Sequence, residues 1–190
     1  MSELKILAVS GSLRSASYNS ALARAAQKHA PGDMAVEIYE GLRDLPLYDQ
    51  DLDTDTPPAA VADLRRRITE ADGLFIATPE YNYGIPGALK NALDWASRPS
   101  RGSSLTGKPI AVSGAAPTNF GTVRAQLALR QMFLWTDSDV VRKPEVQIFR
   151  AHERFDETGN LTDESTIALL RDLLDALDRR IRDRRTIAAS

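Results

Sequence analysis

The chain has 190 residues, of which 43% are hydrophobic, and its formal net charge is −2 at pH 7. This length predicts one domain, residues 1–190, with a substantial core. The nearly balanced charge creates no field that would attract nucleic acid, so we expect no nucleic-acid partner. The sequence contains no cysteine, which excludes disulfides, thiolate catalysis and iron–sulfur clusters.

Targeting and membrane signals are not evident in the sequence. Residues 1–5 lead into a short strand-like run, unlike the longer apolar region of a signal peptide. No apolar stretch approaches the roughly 18 residues that a membrane span requires. We therefore expect a cytoplasmic protein with no membrane association.

Short apolar runs alternate with helical patterns along the chain. The sequence predicts strands near residues 4–10, 34–40, 73–78, 108–114 and 144–149, and helices near residues 19–30, 57–71, 86–98, 120–135 and 162–184. The alternation indicates parallel βαβ units, and the uninterrupted apolar runs at residues 74–77 and 110–112 indicate strands covered on both faces. We therefore expect an α/β fold with a doubly wound sheet of five parallel strands. Asn19 is the predicted N-cap of the first helix.

The turn at residues 11–19 joins the first strand to the first helix. Such a turn aims several backbone N–H groups and the positive end of the helix dipole at one small volume. Ser12, Ser17 and Asn19 add neutral donors, and Arg14 adds a charged one. Neither the G-x-G-x-x-G dinucleotide fingerprint nor the Walker lysine is present. The turn predicts a monophosphate site, and the plainer alternative is an ordinary connection whose polar residues only cap the helix.

A second motif, residues 78–95, follows the third strand. Ligands of doubly wound sheets bind at the carboxyl ends of the strands beside the switch point, so the loops after the first and third strands should face each other. Two tyrosines, an amide and a carboxylate at residues 80–83 suit a planar heteroaromatic ring. The alternative is a proline-rich turn with packing tyrosines.

Three further features could suggest a metal site or a nucleic-acid site, but we interpret each of them as structural. Four aspartates alternate between residues 49 and 55 like calcium ligands, but Thr54 stands where a calcium loop needs glycine. His29 and His152 are far apart in the sequence and have no evident metal or triad partner. We therefore predict no metal site. The arginines at residues 179–185 complement the negative end of the last helix dipole rather than forming a nucleic-acid patch.

Together the motifs resemble the NADPH-dependent FMN reductase family, and especially its quinone and chromate reductase branch. The resemblance extends from about residue 4 to residue 182 and rests on three segments: Gly-Ser-Leu-Arg at residues 11–14 with Ser17 and Asn19, Pro-Glu-Tyr-Asn-Tyr at residues 79–83, and Leu-Lys-Asn-Ala-Leu-Asp-Trp at residues 89–95. It implies a flavodoxin-like three-layer fold with strand order 2-1-3-4-5. It also implies FMN as cofactor, NAD(P)H as co-substrate and assembly as a homodimer or homotetramer.

The resemblance also implies roles for individual residues. The FMN phosphate would be held by Ser12, Arg14, Ser17 and Asn19. The isoalloxazine ring would be bordered by Pro79, Glu80, Tyr81, Asn82 and Tyr83, and its other edge by the loop beginning at Ser113. No side chain receives a catalytic role, because the flavin carries the hydride.

The expected reaction is a ping-pong transfer of hydride from NAD(P)H through the flavin to a small acceptor. Candidate acceptors are quinones, azo dyes, free flavins and chromate. One alternative is a flavin-carrying electron-transfer or redox-sensing protein without turnover of its own, although such carriers usually have a more acidic docking face. The other is a phosphate-ester enzyme that uses the first turn.

Overall fold

The computed structural model describes residues 3–99 and 102–189. The strands in these ranges are β1 (Leu4–Ser10), β2 (Met34–Tyr39), β3 (Gly73–Ala77), β4 (Pro109–Ala115), β5 (Asp139–Val140) and β6 (Val146–Ile148). The α-helices are α1 (Tyr18–His29), α2 (Ala59–Glu70), α3 (Gly87–Ala96), α4 (Val123–Trp135) and α5 (Glu164–Ala189). The predicted helices and strands are present, with ends that differ by a few residues.

The sheet is parallel and has the order β2-β1-β3-β4-β5, with β6 also paired to β4. The predicted flavodoxin-like class and strand order are confirmed. Because β1 lies between β2 and β3, the direction of winding reverses at this point, and the loops that follow β1 and β3 become neighbours.

The fifth strand position is divided, whereas the sequence predicts a single strand at residues 144–149. β5 pairs with the start of β4 through Asp139 opposite Pro109, and β6 pairs with its end through Val146 opposite Ser113. Pro144, between the two segments, has no N–H group to contribute to a ladder. The chain therefore leaves the sheet edge between β5 and β6.

Helices cover both faces of the sheet. On one face, α1 and α5 pack against Phe75, with Leu22 and Leu174 among their fully buried residues. On the other face, α2, α3 and α4 form a second cluster that includes Trp95 and Phe133. This arrangement gives the three layers that the resemblance implies. No helix within the described residues is long and apolar enough to cross a membrane.

The last helix extends to residue 189, beyond the predicted end at residue 184, so its arginines do not lie in a final turn. They form ion pairs with aspartates at or just before the first residues of β2, β3 and β5. We call these contacts the basal ion pairs: Arg182–Asp33, Arg185–Asp72 and Arg180–Asp139. They attach α5 to the amino ends of the strands, opposite the loops described next.

Candidate functional site

Three loops meet at the carboxyl ends of the central strands. The first loop (residues 11–17) follows β1, the second loop (residues 78–86) follows β3, and the third loop (residues 116–122) follows β4. The Ser12 hydroxyl oxygen lies 3.5 Å from the Tyr81 hydroxyl oxygen. A Cβ atom added to Gly11 would lie 2.9 Å from Leu89 Cδ2 and 3.2 Å from Pro79 Cδ. The prediction that the first and second loops face each other is confirmed.

The N-cap of α1 is Ser17, and the prediction of Asn19 as the cap is wrong. The Ser17 hydroxyl oxygen accepts the backbone N–H groups of Asn19 at 3.1 Å and Ser20 at 3.4 Å. Its own proton remains available to a ligand. The N–H groups of Ala16, Ser17 and Tyr18 have no acceptor in the part of the chain that the structure describes. The start of α1 therefore presents unpaired donors at the first loop.

The Asn19 side chain connects the first loop to the end of β4. Its amide donates to the Ala115 carbonyl at 3.0 Å and accepts the Ala115 N–H at 2.9 Å. Both groups are buried, so Asn19 holds two elements that are distant in the sequence. The Asn19 amide is therefore occupied by the protein, and Ser12, Arg14 and Ser17 are the other predicted phosphate ligands of the first loop.

Ser113 and Gly114 lie below the third loop. The Ser113 hydroxyl is fully buried and donates to the Val146 carbonyl at 2.9 Å, so the structure does not bring it to the surface of the site. A Cβ atom at Gly114 would overlap Thr122 Oγ1 and the Thr78 carbonyl. Glycine at this position therefore allows the second and third loops to approach each other closely.

The second loop contains a two-residue hairpin turn. Asn82 and Tyr83 both have left-handed backbone conformations, with φ of 50° and 65°. The turn is closed by the Tyr81 N–H on the Gly84 carbonyl at 3.2 Å and by the reciprocal bond at 3.0 Å. A bulky residue such as Tyr83 adopts this conformation at a cost of roughly 1–3 kcal/mol, a type of strain that concentrates at functional sites. The exposed rings of Tyr81 and Tyr83 flank the turn.

Glu80 caps helix α4 from the second loop. Its carboxylate accepts the backbone N–H groups of Arg124 at 2.9 Å and Ala125 at 3.3 Å, and it accepts Arg124 Nε at 2.6 Å. The residue at the helix N-cap, Thr122, forms no side-chain capping bond. The carboxylate therefore faces the helix, and this role was not predicted from the sequence.

Aromatic side chains form a rim beside the second loop. The guanidinium of Arg124 lies 3.8 Å from the ring centroid of Tyr83 and 4.7 Å from that of Phe120. Such cation–π contacts favour this orientation of both rings. We call Tyr81, Tyr83 and Phe120 the aromatic rim.

The segment at residues 89–95 has a structural role. The Asn91 amide and the Trp95 indole both donate to the Pro46 carbonyl, at 2.8 Å and 2.9 Å, and the Tyr48 N–H donates to Asn91 Oδ1 at 2.7 Å. These bonds hold the long connection at residues 41–58 against α3. Asp53 in this connection pairs with Arg65, which gives it a structural partner.

Comparisons with known proteins agree with this geometry. The sequence model of the family described as NADPH-dependent FMN reductase matches residues 4–153. The chain is 45% identical over 175 residues to the NAD(P)H-dependent FMN reductase PA1204 of Pseudomonas aeruginosa, covering 92% of this chain and 94% of the relative. It is 43% identical over 182 residues to a 2-hydroxy-1,4-benzoquinone reductase of a Burkholderia species, covering 96% of this chain and 98% of the relative. The structure of FerB, a flavoenzyme NAD(P)H:(acceptor) oxidoreductase from Paracoccus denitrificans, superposes with a TM-score of 0.85 and 36% identity over 95% of this chain and 98% of that one.

Proposed function

Because this chain belongs to the NADPH-dependent FMN reductase family, an oxidoreductase family that uses FMN and NAD(P)H, we propose that it binds FMN where the three loops meet. It would transfer hydride from NAD(P)H to a small acceptor. The observation that carries the proposal is the contact between Ser12 and Tyr81, because it joins a loop with unpaired N–H donors to a loop that carries exposed aromatic rings.

The first loop fits the phosphate of FMN in charge and in donors. It combines the N-terminus of α1 with the hydroxyls of Ser12 and Ser17 and the guanidinium of Arg14. No carboxylate occurs among residues 11–19. In this proposal Ser12, Arg14 and Ser17 contact the phosphate directly. Asn19 acts mainly by holding the loop against Ala115.

The second loop fits the ring of the flavin. Pro79, Tyr81, Asn82 and Tyr83 would border it, and the N–H groups of Asn82 and Tyr83 have no acceptor within the described residues. Donors of this kind stabilise negative charge that develops at a ring edge during hydride transfer. When bound, FMN supplies the capacity to accept and then donate a hydride. Glu80 positions the loop through α4, and Ser113 supports the third loop from below.

We infer a ping-pong order from the exposed aromatic rim. The rings of Tyr81, Tyr83 and Phe120 are exposed to solvent, and in this proposal a planar reactant approaches the flavin from their side. NAD(P)H and the acceptor would use this side in turn, so the oxidised nucleotide leaves before the acceptor binds.

Quinones are the acceptor class that we favour. A planar, polarisable ring stacks on tyrosine and phenylalanine side chains, and the Burkholderia relative bears the name of a benzoquinone reductase. Azo dyes, free flavins and chromate are less selective candidates.

We also propose that the chain forms a homodimer or homotetramer through α4. Leu134 and Trp135 are 81% and 82% exposed, and Leu127 lies on the same helix face two turns earlier. Of these residues, Trp135 borders a groove of about 380 Å³ between α3 and α4. Exposed apolar patches of this kind mark interaction surfaces. Light scattering should show an oligomer for the wild type and for Leu169→Glu, a control on α5, and a monomer for Trp135→Glu. A monomeric wild type would contradict the proposal.

The reductase activity is tested by anaerobic mixing. Protein loaded with FMN and mixed with NADPH should lose its flavin absorbance, and added quinone should restore it. If FMN is bound but NADPH leaves the absorbance unchanged, the electron-carrier alternative is favoured. Hydrolysis of phosphate esters without flavin binding favours the phosphate-ester alternative.

A further inference from the structure

The Tyr81 hydroxyl points from the second loop to the first loop. Its oxygen lies 3.5 Å from Ser12 Oγ, and within the described residues this is the one side-chain hydrogen bond between the two loops. The hairpin bonds of Tyr81 with Gly84 fix its backbone, so the two side-chain torsions of the tyrosine set the position of the ring. The ring therefore spans the space between the two loops.

The two hydroxyls satisfy each other incompletely. Ser12 Oγ also accepts the backbone N–H of Arg14 at 3.3 Å, so the Ser12 proton is available for donation. In the part of the chain that the structure describes, the Tyr81 hydroxyl has Ser12 as its one hydrogen-bond partner. Because O–H···O bonds normally measure about 2.5–3.0 Å, this longer contact is weak. Both hydroxyls can therefore exchange it for bonds to a stronger acceptor.

The separation of the two hydroxyl oxygens fits a phosphate group. A hydroxyl that donates to an ionised phosphate oxygen lies about 2.7 Å from it, so two donors 3.5 Å apart can reach the same oxygen or adjacent oxygens of one group. The oxygens of an ionised phosphate are acceptors, and both hydroxyls can donate to them at once. Tyr81 is half exposed, so its ring can turn toward a ligand without disturbing the buried Ser12.

We propose that the Tyr81 hydroxyl binds the phosphate of FMN together with Ser12, in addition to the contact of the Tyr81 ring with the isoalloxazine. The proposal rests on the function proposed above, in which the first loop holds the phosphate and the second loop borders the flavin ring. Tyr81 is then the residue of the second loop that recognises the phosphorylated form of the flavin. Riboflavin has the same ring and ribityl chain but no phosphate, so it gains nothing from this hydroxyl.

Titration of the apoprotein with FMN and with riboflavin, followed by flavin fluorescence, tests this assignment. Tyr81→Phe keeps the ring and removes the hydroxyl. It should weaken FMN binding about tenfold, as expected for one lost bond to a charged group, and leave riboflavin binding unchanged. Tyr48→Phe removes the same hydroxyl from a tyrosine that packs on Trp95, outside the three loops, and should bind both flavins as the wild type does.

A direct contact with the phosphate can be distinguished from an effect that passes through Ser12. If Tyr81 only held Ser12 in place, Tyr81→Phe would change nothing in a Ser12→Ala background, because the serine hydroxyl is already absent there. Since the proposal places the tyrosine hydroxyl on the phosphate itself, the loss of FMN affinity should persist at about tenfold in this background.

Three outcomes would overturn the assignment. Unchanged FMN affinity in Tyr81→Phe shows that the hydroxyl does not bind the phosphate. Equal weakening of FMN and riboflavin binding assigns the hydroxyl to the ring or to the ribityl chain. Disappearance of the Tyr81→Phe effect in the Ser12→Ala background makes Tyr81 a positioning residue for Ser12. Failure of the wild type to bind FMN would instead contradict the proposed function, so the two failures are distinguishable.

Discussion

Asn19 and Ala115 lie 96 residues apart in the sequence, yet the Asn19 side chain pairs with both backbone groups of Ala115. The two hydrogen bonds resemble those of a backbone pair in a β-sheet, and they connect the start of α1 to the end of β4. Because the first and third loops adjoin these two points, the Asn19 side chain helps to fix their relative position.

Replacement of Asn19 by alanine should lower the free energy of unfolding by about 2–4 kcal/mol. The substitution leaves the Ala115 N–H and C=O buried without partners, and each unpaired buried group costs about 1–3 kcal/mol. Urea unfolding measures the change. Ser20→Ala, a half-buried neighbour with one hydroxyl contact to Ser10, should cost about 1 kcal/mol or less. Equal losses in the two variants would contradict this view of Asn19.

Glu80→Gln should destabilise the protein by about 1–2 kcal/mol, because α4 loses a charged cap and Arg124 loses its partner. The matched control is Glu153→Gln, which removes an exposed pair with Arg150 and should change stability by about 0.5 kcal/mol or less. A double-mutant cycle with Arg124→Gln measures the coupling. Strict additivity in that cycle would show that the pair does not contribute.

Arg14→Ala should weaken FMN binding by about 1.5–3 kcal/mol, the range for a hydrogen bond to a charged group. Riboflavin lacks the phosphate and serves as the matched ligand, so its affinity should stay constant. Fluorescence titration of the apoprotein measures both. If the variant binds FMN as tightly as the wild type does, Arg14 is not a phosphate ligand.

Asp163 makes stability depend on pH. Hydrogen bonds from the Thr166 and Ser165 hydroxyls hold the pKa of the Asp163 carboxyl well below its usual range, because they favour the ionised form. A lowered folded-state pKa gives stability that is complete above the unfolded pKa, about 4, and is lost as the pH falls below it.

The substitution Asp163→Ala should therefore cost about 1 kcal/mol at pH 7, as for a lost N-cap, and progressively less below about pH 4. Urea unfolding at a series of pH values measures this. Asp172→Ala, at an exposed position of α5, should show a small effect that does not change with pH in this way. A constant cost of Asp163→Ala down to pH 2 would contradict the expectation.

Most of the fold could be predicted because the longer strands are short uninterrupted apolar runs and the helices have their own apolar periodicity. Apolar runs such as residues 74–77 suit a strand covered on both faces, and the polar turns after β1 and β3 mark the ligand edge. The division of the fifth strand was missed, since the short pair Asp139–Val140 has too few residues for a visible period. The predicted strand at residues 144–149 begins too early, and Pro144 is a local sign of this because proline has no N–H group for a ladder.

Side-chain roles within the site were less predictable. Glu80 and Arg124 are 44 residues apart, and only the packing of the second loop on α4 brings them together. Ser113 lies in a strand without apolar–polar alternation, so the sequence contains no sign of which face its hydroxyl takes. Asn82 suits a left-handed turn by its residue type, whereas Tyr83 does not, and its conformation depends on the hairpin bonds of Tyr81 and Gly84.

The basal ion pairs lie at the end of the sheet opposite the loops that form the candidate site. Arg182 and Arg185 fasten α5 beside residues that no ligand approaches in our proposal. Substitutions in the aromatic rim therefore leave this fastening intact. Substitution of Tyr83 or Phe120 should therefore change which acceptors the protein reduces more than it changes the attachment of α5.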